Sequence, residues 1–298
     1  MKKVVYLSGG IGGAKFAKGL NAIPGIELSI IVNTGDDEFI HGVQLSPDID
    51  SVVYALAGIE GQFGWGVKND KFTVNYELSK LMKIKFAVGD KDLSINLYRN
   101  QMLHEGKSLT DITKNIKDFF KINCAIYPMS DDQVSTKLVT TKNQKLNFQD
   151  YFVNMEAKPR LKKVIYEGSS KAKLSSNVIK KITNADVVII GPSNPILSIG
   201  PILSIPKLNN LLKEHKKVLA ISPFINNLAV KGPSVNNFKD MGYTPDIQGL
   251  KNYYKNIVNT FIVQHGDSDN TDNVIEKDIY FKNKNNAKKL ATNILSYE

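Results

Sequence analysis

Short runs of apolar, mostly β-branched residues alternate along the chain with segments in which apolar residues recur at helical spacing. The runs at residues 4–7, 27–32, 185–190, 218–221 and 261–264 predict strands buried on both faces of a sheet. Each run ends in a polar or glycine-rich turn that precedes a helical segment. This alternation predicts an α/β fold, a Rossmann-like doubly wound parallel sheet. The run at residues 261–264 is expected to be its last core strand.

The alternation is lost between about residues 60 and 165. Short strand-like runs follow one another there, separated by turns rich in Asp, Asn, Lys and Gly. We therefore expect a single 298-residue domain with its core at about 1–60 and 165–298 and a mixed α/β insertion between them. Within the insertion, residues 85–88 are expected to form a strand that runs into the polar cluster at 89–92.

A glycine-rich turn joins the first strand to a helix predicted over residues 14–20. Gly9, Gly10, Gly12 and Gly13 let the backbone adopt φ > 0 and approach a ligand closely. The N–H groups and dipole at the start of the helix favour an anion, so we expect a bound phosphate, with a merely tight turn as the alternative. The glycine spacing matches neither a dinucleotide fingerprint nor a Walker loop.

Four aspartates follow in two loops that should share the carboxyl edge of the sheet. Asp36 and Asp37 come after the second strand, and Asp48 and Asp50 lie at a predicted helix start next to Pro47. Convergent carboxylates indicate a divalent-cation site such as one for Mg²⁺. The alternative for Asp36 and Asp37 is a surface turn. The alternative for Asp48 and Asp50 is an interaction with the dipole at the amino end of the helix, which stabilises a protein by only about 0.3–1 kcal/mol. We therefore expect Asp50→Asn to keep its melting temperature and to lose turnover.

A proline-rich loop follows the strand at residues 185–190. Ser193, Asn194 and Ser198 offer side-chain hydrogen-bonding groups there, at the edge of the sheet that carries the aspartates. Such a loop favours a bound ligand.

Two further side chains have open interpretations. Trp65, the only tryptophan, lies between two glycines and suits either an aromatic platform or a loop anchor. Arg99 lies on a helix after the 89–92 cluster, where a single arginine is usually solvated.

Composition narrows the choice of partners. Hydrophobic residues make up 42% of the chain, and no apolar run approaches the roughly 18–20 residues of a membrane span. The chain has 39 Lys and Arg against 29 Asp and Glu, but the basic residues are scattered and lack the aromatic interleaving of a nucleic-acid surface. Cys124, the single cysteine, lies in an apolar run and is expected to be buried and unreactive. We expect a cytoplasmic protein with small-molecule partners and no nucleic-acid or membrane partner.

Taken in order, the loops resemble those of the 2-phospho-L-lactate transferases, the CofD family. The motifs that carry the resemblance lie at residues 7–15 (LSGGIGGAK), 33–37 (NTGDD), 46–50 (SPDID), 64–66 (GWG), 89–93 (GDKDL), 128–130 (PMS), 191–195 (GPSNP), 198–203 (SIGPIL) and 231–233 (KGP). They extend over nearly the whole chain, and the combination is far more specific than any one motif.

The resemblance implies a reaction of coenzyme F-420 biosynthesis. A 2-phospholactyl group, or a phosphoenolpyruvyl group in bacterial members, would pass from a guanosine diphosphate adduct to the ribityl hydroxyl of FO (7,8-didemethyl-8-hydroxy-5-deazariboflavin), with Mg²⁺ as cofactor and release of GMP. The substrates would be FO and a guanylylated three-carbon phospho-acid. A homodimer is the oligomeric state that we expect.

The resemblance also implies roles for particular residues. FO would contact Asp50 and Lys91, with Asp48, Trp65 and Asp90 beside them. From the chemistry of the transfer we hypothesise that Asp50, aided by Asp36 or Asp37, holds the metal or orients the hydroxyl, and that Lys91 offsets charge near the acceptor. The expected catalytic residues are thus Asp50, Lys91 and Asp36, and the expected metal ligands are Asp36, Asp37 and Asp50. The nucleotide and phosphate groups would be bound by Ser8, Gly9, Gly10, Gly12, Gly13, Pro192, Ser193, Asn194 and Ser198.

The chain departs from the family pattern at two places. Lys91 stands where relatives often carry Arg, which exchanges a fork of donors for a point charge. Residues 224–227 (FINN) replace a turn that usually bears glycine.

Two other functions compete with this interpretation. A non-catalytic nucleotide-sugar-binding regulator of the gluconeogenesis-factor type would need the first glycine loop but not Asp48, Asp50 or the 89–92 cluster. An NAD-dependent oxidoreductase is disfavoured because the glycine spacing fails.

Overall fold

The computed structural model describes residues 1–84, 86–229 and 232–297. Its strands are β1 Lys2–Ser8, β2 Ile26–Val32, β3 Glu38–Ile40, β4 Val43–Leu45, β5 Ala125–Pro128, β6 Ser135–Thr140, β7 Lys145–Asn147, β8 Leu161–Glu167, β9 Val187–Ile190, β10 Val218–Ile221, β11 Phe224–Ile225, β12 Leu228–Ala229, β13 Thr260–Gln264 and β14 Val274–Lys277. Its helices are α1 Gly10–Leu20, α2 Pro47–Ala57, α3 Thr73–Ser79, α4 Asp90–His104, α5 Leu109–Phe119, α6 Ser176–Thr183, α7 Gly200–Leu203, α8 Pro206–Glu214, α9 Ser234–Asp240, α10 Ile247–Tyr253 and α11 Lys284–Leu295. Two π-helical turns span Asp150–Asn154 and Pro195–Ile199.

Seven of the strands in the described part of the chain form one sheet, in the order β14-β13-β10-β9-β1-β2-β5. All of their pairings are parallel. The chain builds the sheet outward from β1, first through β2 and β5 and then through β9 on the other side. The predicted doubly wound parallel sheet is therefore confirmed. Because the direction of winding reverses between β1 and β9, a crevice opens at their carboxyl ends, where ligands bind in such sheets.

Both faces of the sheet are covered by helices, as the unbroken apolar runs require. Along β1, Val4 and Tyr6 pack on one face with α1, α2, α5 and α11. Val5 and Leu7 point to the other face, toward α6, α8 and α10. Among the described residues, no helix has the length and apolar character needed to cross a membrane.

The segment predicted as an insertion differs in part from expectation. β5 pairs with β2 through the register Ser29↔Ala125, so this strand belongs to the central sheet. β6, β7 and β8 form a separate antiparallel sheet. The pairing of β5 with β2 spans about ninety residues of sequence, and such a distant partner leaves no mark on the local pattern.

Two expected strand assignments are wrong. Residues 86–88 form no strand, because Val88 packs with Val43 and Leu45 of the β3–β4 hairpin and its carbonyl accepts a hydrogen bond from the Asn75 side chain. β13 is not the last core strand, since β14 pairs with it in parallel. Lys85, the start of the expected strand, and Lys231 of the 231–233 motif lie outside the described residues.

Candidate active site

The glycine-rich segment is helical from Gly10 onward, earlier than the predicted start at residue 14. Gly12 and Gly13 lie in the first turn of α1. A Cβ at Gly12 would lie 3.1 Å from the Pro192 carbonyl oxygen, and a Cβ at Gly13 would lie 2.6 Å from Ser8 Oγ. These glycines therefore let the start of α1 pack directly against the end of β1 and the loop after β9.

The loops that follow β1 and β9 face each other across the crevice. Ser193 Oγ donates a hydrogen bond to the Gly9 carbonyl oxygen at 2.5 Å. A Cβ at Gly9 would lie 2.7 Å from Ser198 Cβ. Asn194 accepts two backbone N–H groups of the turn that follows it, at 3.0 and 3.1 Å. Ser8 Oγ is buried and has no hydrogen-bond partner among the described residues, so it is available to a ligand or to a water molecule.

Asp48 connects the glycine segment to the loop after β2. Its Oδ1 accepts the Gly10 N–H at 2.6 Å, and its Oδ2 accepts from Asn33 Nδ2 at 2.9 Å. Asn33 also donates to Asp36 Oδ1 at 3.2 Å and accepts the Gly35 N–H at 2.8 Å. Both oxygens of Asp48 thus accept hydrogen bonds from within the protein. The Asp48 carboxylate occupies the Gly10 N–H at the helix start, where a bound anion was expected.

The four aspartates come together at the carboxyl edge of the sheet. Burial raises the pKa of Asp37 to about 8 and that of Asp48 to about 6. Burial, followed by repulsion from Asp48 and Asp37, raises the pKa of Asp36 well above its usual range. Ser46 Oγ donates to Asp37 Oδ2 at 2.7 Å, which leaves Asp37 Oδ1 buried and without a partner in the described part of the chain. Each of these shifts favours the protonated form, so the cluster cannot hold all of its carboxylates ionised at neutral pH without an additional cation.

Arg99 supplies positive charge to this cluster, and the question that the sequence left open is decided in favour of a buried side chain. It is completely buried, and its Nη2 donates to Asp50 Oδ1 while its Nη1 donates to Asn96 Oδ1. Burial raises the pKa of Asp50, and the charge of Arg99 opposes that rise. The guanidinium therefore favours the ionised form of a carboxylate that its surroundings would otherwise neutralise.

The partners of Arg99 line the facing sides of α2 and α4. Asp92, Asn96 and Arg99 recur at i, i+4 and i+7 on α4, which places them on one helix face. Asp50 and Tyr54, at i and i+4, form the matching face of α2. Tyr54 Oη donates to Asp92 Oδ1 at 2.8 Å, and Asn96 Nδ2 donates to the same oxygen at 3.2 Å. This polar spacing on a predicted helix was the available signal for Asn96, which the sequence interpretation missed, and for the role of Arg99, which it left open.

The 89–92 cluster contributes mostly to the shape of this region. A Cβ at Gly89 would clash with Asp70 Oδ2. Asp70 accepts the backbone N–H groups of Lys91 at 2.9 Å and of Asp92 at 3.1 Å, so it caps α4. The Asp90 carboxylate accepts the first two N–H groups of α3, at 3.1 and 3.0 Å. Gly89 therefore makes room for a cap, and Asp90 fixes the start of a neighbouring helix.

The Lys91 side chain is exposed and lies apart from the carboxylates. It lines an open cavity of about 580 Å³ whose walls include Ile59, Ile95 and Phe119. Asp50 does not line this cavity. The structure thus brings the four aspartates together with the glycine segment but places Lys91 on a neighbouring surface.

The loop that carries Trp65 bridges the two halves of the region. A Cβ at Gly64 would clash with Ile11 Cγ2 on the glycine segment, and a Cβ at Gly66 would lie 4.0 Å from Asp92 Oδ2 on α4. The Trp65 ring is 47% exposed and stacks on Phe63, with 6.2 Å between ring centroids. The loop is anchored through its glycines, and the tryptophan ring remains accessible.

Comparison with known proteins decides the family. The model for the family described as 2-phospho-L-lactate transferase CofD matches residues 4–295. The chain belongs to the CofD family. It is 38% identical to the 2-phospho-L-lactate transferase of Methanocaldococcus jannaschii, over 93% of this chain and 89% of that one. It is 35% identical to a Methanococcus maripaludis protein of the same name, over 99% of this chain and 98% of that one.

Solved structures support the fold of this CofD family member. Protein BH3568 from Bacillus halodurans superimposes with a TM-score of 0.69 at 17% identity, and each chain is covered to 99%. A second structure of that protein, described as a member of the UPF0052 family, gives a TM-score of 0.67 at 16% identity. At this level of identity the likeness shows the shared fold alone. The 2-phospho-L-lactate transferase relatives, in contrast, establish an enzyme family of coenzyme F-420 biosynthesis.

The carboxylates of this CofD family member suit the Mg²⁺ that the family resemblance implies, although they form no preformed cage. Within the described residues, no group of three or more His, Cys, Asp or Glu side chains is arranged to hold a metal by itself. Mg²⁺ commonly binds through one or two carboxylates together with substrate phosphates. Asp36 and Asp37, with the unpartnered Oδ1 of Asp37, provide oxygen donors of that kind.

Proposed function

We propose that this CofD family member transfers a 2-phospholactyl or phosphoenolpyruvyl group from a guanosine diphosphate adduct to the ribityl hydroxyl of FO and releases GMP. One observation carries the proposal. The buried carboxylates lie between the crevice of the β1 and β9 loops, which suits a donor nucleotide, and α4, which extends toward the Lys91 cavity.

The donor side of the reaction would use the β1 and β9 loops. Their close approach leaves small side chains and backbone at the crevice, where the diphosphate of a nucleotide could lie near the start of α1. Ser8 and Ser198 would offer hydroxyl groups to it, Ser193 would hold the loop through its bond to the Gly9 carbonyl oxygen, and the glycines would leave room for the phosphates. Because Asp48 already meets the Gly10 N–H, we assign Asp48 to bracing the loop and expect the phosphates to use the remaining donors.

The acceptor side would use the cavity at Lys91. Its apolar and aromatic walls suit a planar ring system, and Lys68 and Lys91 would offset negative charge on it. Trp65 lies on the loop that touches both the glycine segment and α4, so its exposed ring could cover one side of a bound acceptor.

The transfer forms one bond and breaks another at phosphorus. The ribityl hydroxyl oxygen attacks the phosphorus that carries the three-carbon acid, the bridging P–O bond to GMP breaks, and the hydroxyl proton leaves. Asp50 would orient this hydroxyl or receive its proton through Oδ2, while Arg99 holds Oδ1. Positioning and charge stabilisation can provide most of the rate in such transfers without a covalent intermediate.

Asp36 and Asp37 would hold Mg²⁺ at the donor. When bound, the ion supplies charge neutralisation to the transferring phosphoryl group. The electrostatics favour this assignment, because burial raises the pKa of both carboxyls and a bound cation would stabilise their ionised forms together with the donor diphosphate.

A direct assay tests the proposal. The purified protein is mixed with Mg²⁺, FO and one guanylylated donor at a time, carrying phospholactate in one reaction and phosphoenolpyruvate in another, and the product masses are measured. We expect an FO adduct and equimolar GMP with at least one donor. Asp272→Asn, at an exposed site, should match the wild type, whereas Asp50→Asn should lose most turnover. Absence of any FO adduct with every donor would refute the assignment.

The nucleotide-sugar-binding regulator is the weaker alternative. The relatives named as 2-phospho-L-lactate transferases match at 35–38% identity over nearly the whole chain. Binding of a UDP-sugar without any turnover of FO would favour the regulator.

A further inference from the structure

Arginine is rare in this chain, and one of its arginines is at the candidate site. Of 39 basic residues, two are arginine, at positions 99 and 160. The Arg160 side chain is 63% exposed, whereas Arg99 is completely buried. Lysine offers a point charge, but a guanidinium donates to two partners in a fixed plane. A buried arginine in a chain so rich in lysine indicates that the forked geometry is needed at that position.

The fork of Arg99 ties α2 to α4. One arm donates to Asp50 Oδ1 on α2, and the other donates to Asn96 Oδ1 on α4. Asn96 Nδ2 donates in turn to Asp92 Oδ1, which also accepts from Tyr54 Oη on α2. Two cross-links therefore join the helices at levels one turn apart.

This arrangement leaves one oxygen of Asp50 free. Asp50 Oδ2 has no hydrogen-bond partner among the described residues, and 6% of the side chain remains exposed. The χ2 torsion of an aspartate is intrinsically broad, so a carboxylate points in one direction only when a neighbour holds it. Arg99 provides that restraint at Oδ1, because the Asn96 contact holds the guanidinium plane.

We infer that Arg99 is a positioning residue for the transfer reaction: its fork, shared between Asp50 and Asn96, aims Asp50 Oδ2 at the acceptor hydroxyl. The inference rests on the proposed function, in which Asp50 contacts that hydroxyl. Misplacement of a reacting group by about 1 Å can cost on the order of 10²-fold in rate. A purely structural Arg99 would instead affect stability and turnover together.

Two variants separate these roles. Arg99→Lys keeps a cation beside Asp50 but removes the fork, and Asn96→Ala keeps the ion pair but frees the second arm. We expect both to lower kcat about tenfold or more at saturating substrates, with the KM of the guanylylated donor within about twofold of wild type. The urea midpoint of Arg99→Lys should fall, because the buried Asn96 Oδ1 loses its donor, and kcat is therefore compared under conditions in which circular dichroism shows every variant to be fully folded. Arg160→Lys, the matched exposed replacement, should keep the wild-type kcat.

A binding measurement provides a readout that does not depend on turnover. FO binding, followed by the fluorescence of the deazaflavin without Mg²⁺, should weaken about fivefold or more in both variants, because a hydrogen bond to a charged group is lost or misdirected. Binding of GDP should stay unchanged.

The outcomes are distinct. Wild-type kcat in both variants would overturn the role of Arg99, and so would a loss of kcat that only parallels a loss of stability. If Arg99→Lys does not fold, the kcat and FO affinity of Asn96→Ala decide. If the wild type shows no turnover with any donor, the proposed function and the Arg99 inference fall together; if the wild type turns over and both variants match it, only the Arg99 inference fails.

Discussion

Replacing Asp50 by asparagine would remove one charge from a pair that the protein interior encloses. The amide oxygen of the introduced asparagine could still accept a hydrogen bond, but the buried guanidinium of Arg99 would lose the full charge opposite it. Viewed as a helix-end residue, Asp50 could be replaced with little change in melting temperature. The buried ion pair revises that expectation, because a charge left alone in the interior is costly.

The structure sets the expected magnitude. Removal of one partner from a buried ion pair costs about 3–5 kcal/mol. The lower end applies here, since an amide oxygen remains and Asp37 also attracts Arg99. In a chain of this size, 1 kcal/mol corresponds to about 2 °C, so the melting temperature of Asp50→Asn should fall by about 6 °C. If Asp50 contacts the transition state, turnover should fall about 10²- to 10³-fold as well.

Urea unfolding followed by circular dichroism measures the stability change. A cycle with Asp50→Asn, Arg99→Met and the double variant should give a coupling energy of at least about 1 kcal/mol, as expected for residues in contact. Glu27→Gln is the matched control, because its partner Lys181 lies at the surface and such pairs contribute less than about 1 kcal/mol. Two results together would refute the reasoning. The stability losses of Asp50→Asn and Arg99→Met would add up without coupling in the double variant, and Asp50→Asn would be no less stable than Glu27→Gln.

Three further predictions follow from close contacts at the site. Gly12→Val would press a side chain against the Pro192 carbonyl oxygen and should therefore weaken GDP binding about tenfold. FO binding should stay nearly intact, and calorimetry with each ligand can check both expectations. Gly89→Ala would displace the Asp70 cap and should destabilise the protein by about 1–3 kcal/mol in urea unfolding and raise the KM for FO. The emission of Trp65, the only tryptophan, should change when GDP binds, because its loop touches the glycine segment; an unchanged spectrum at saturation would contradict this coupling.

The sheet and the crevice could be predicted from sequence because their signals are local. The runs at residues 4–7 and 185–190 have no polar position at the centre, which suits a strand covered on both faces, and each runs into a turn at the same edge. That both runs lie in one parallel sheet follows from that pattern together with the rules of doubly wound sheets, whereas the register of Val4 with Val187 is apparent only in the structure. The gathering of Asp36 and Asp48 could be predicted for the same reason.

Features that depend on distant partners could not be predicted. The apolar run at residues 123–127 indicates a strand, but no local signal shows that it pairs with β2 rather than with its neighbours. Gly12 and Gly13 signalled a flexible turn, whereas their actual requirement is the approach of Pro192 and Ser8, which are apparent only in three dimensions. The role of Arg99 stayed open because its partner lies forty-nine positions away on another helix.

The candidate site is rich in carboxyl groups, whereas the chain as a whole is basic. The chain carries a net charge of +10, so its field attracts anionic donors over distances of about a Debye length, 8–10 Å. At the crevice, however, the donor meets Asp36, Asp37 and Asp48, whose raised pKa values show that the surrounding residues do not supply enough positive charge to keep all three ionised. The general field can therefore raise the encounter rate but cannot hold a diphosphate at the reacting position. A cation shared between these carboxyl groups and the donor would do so, because it would stabilise the ionised carboxylates and the diphosphate together, and this is the physical argument for the proposed Mg²⁺ requirement.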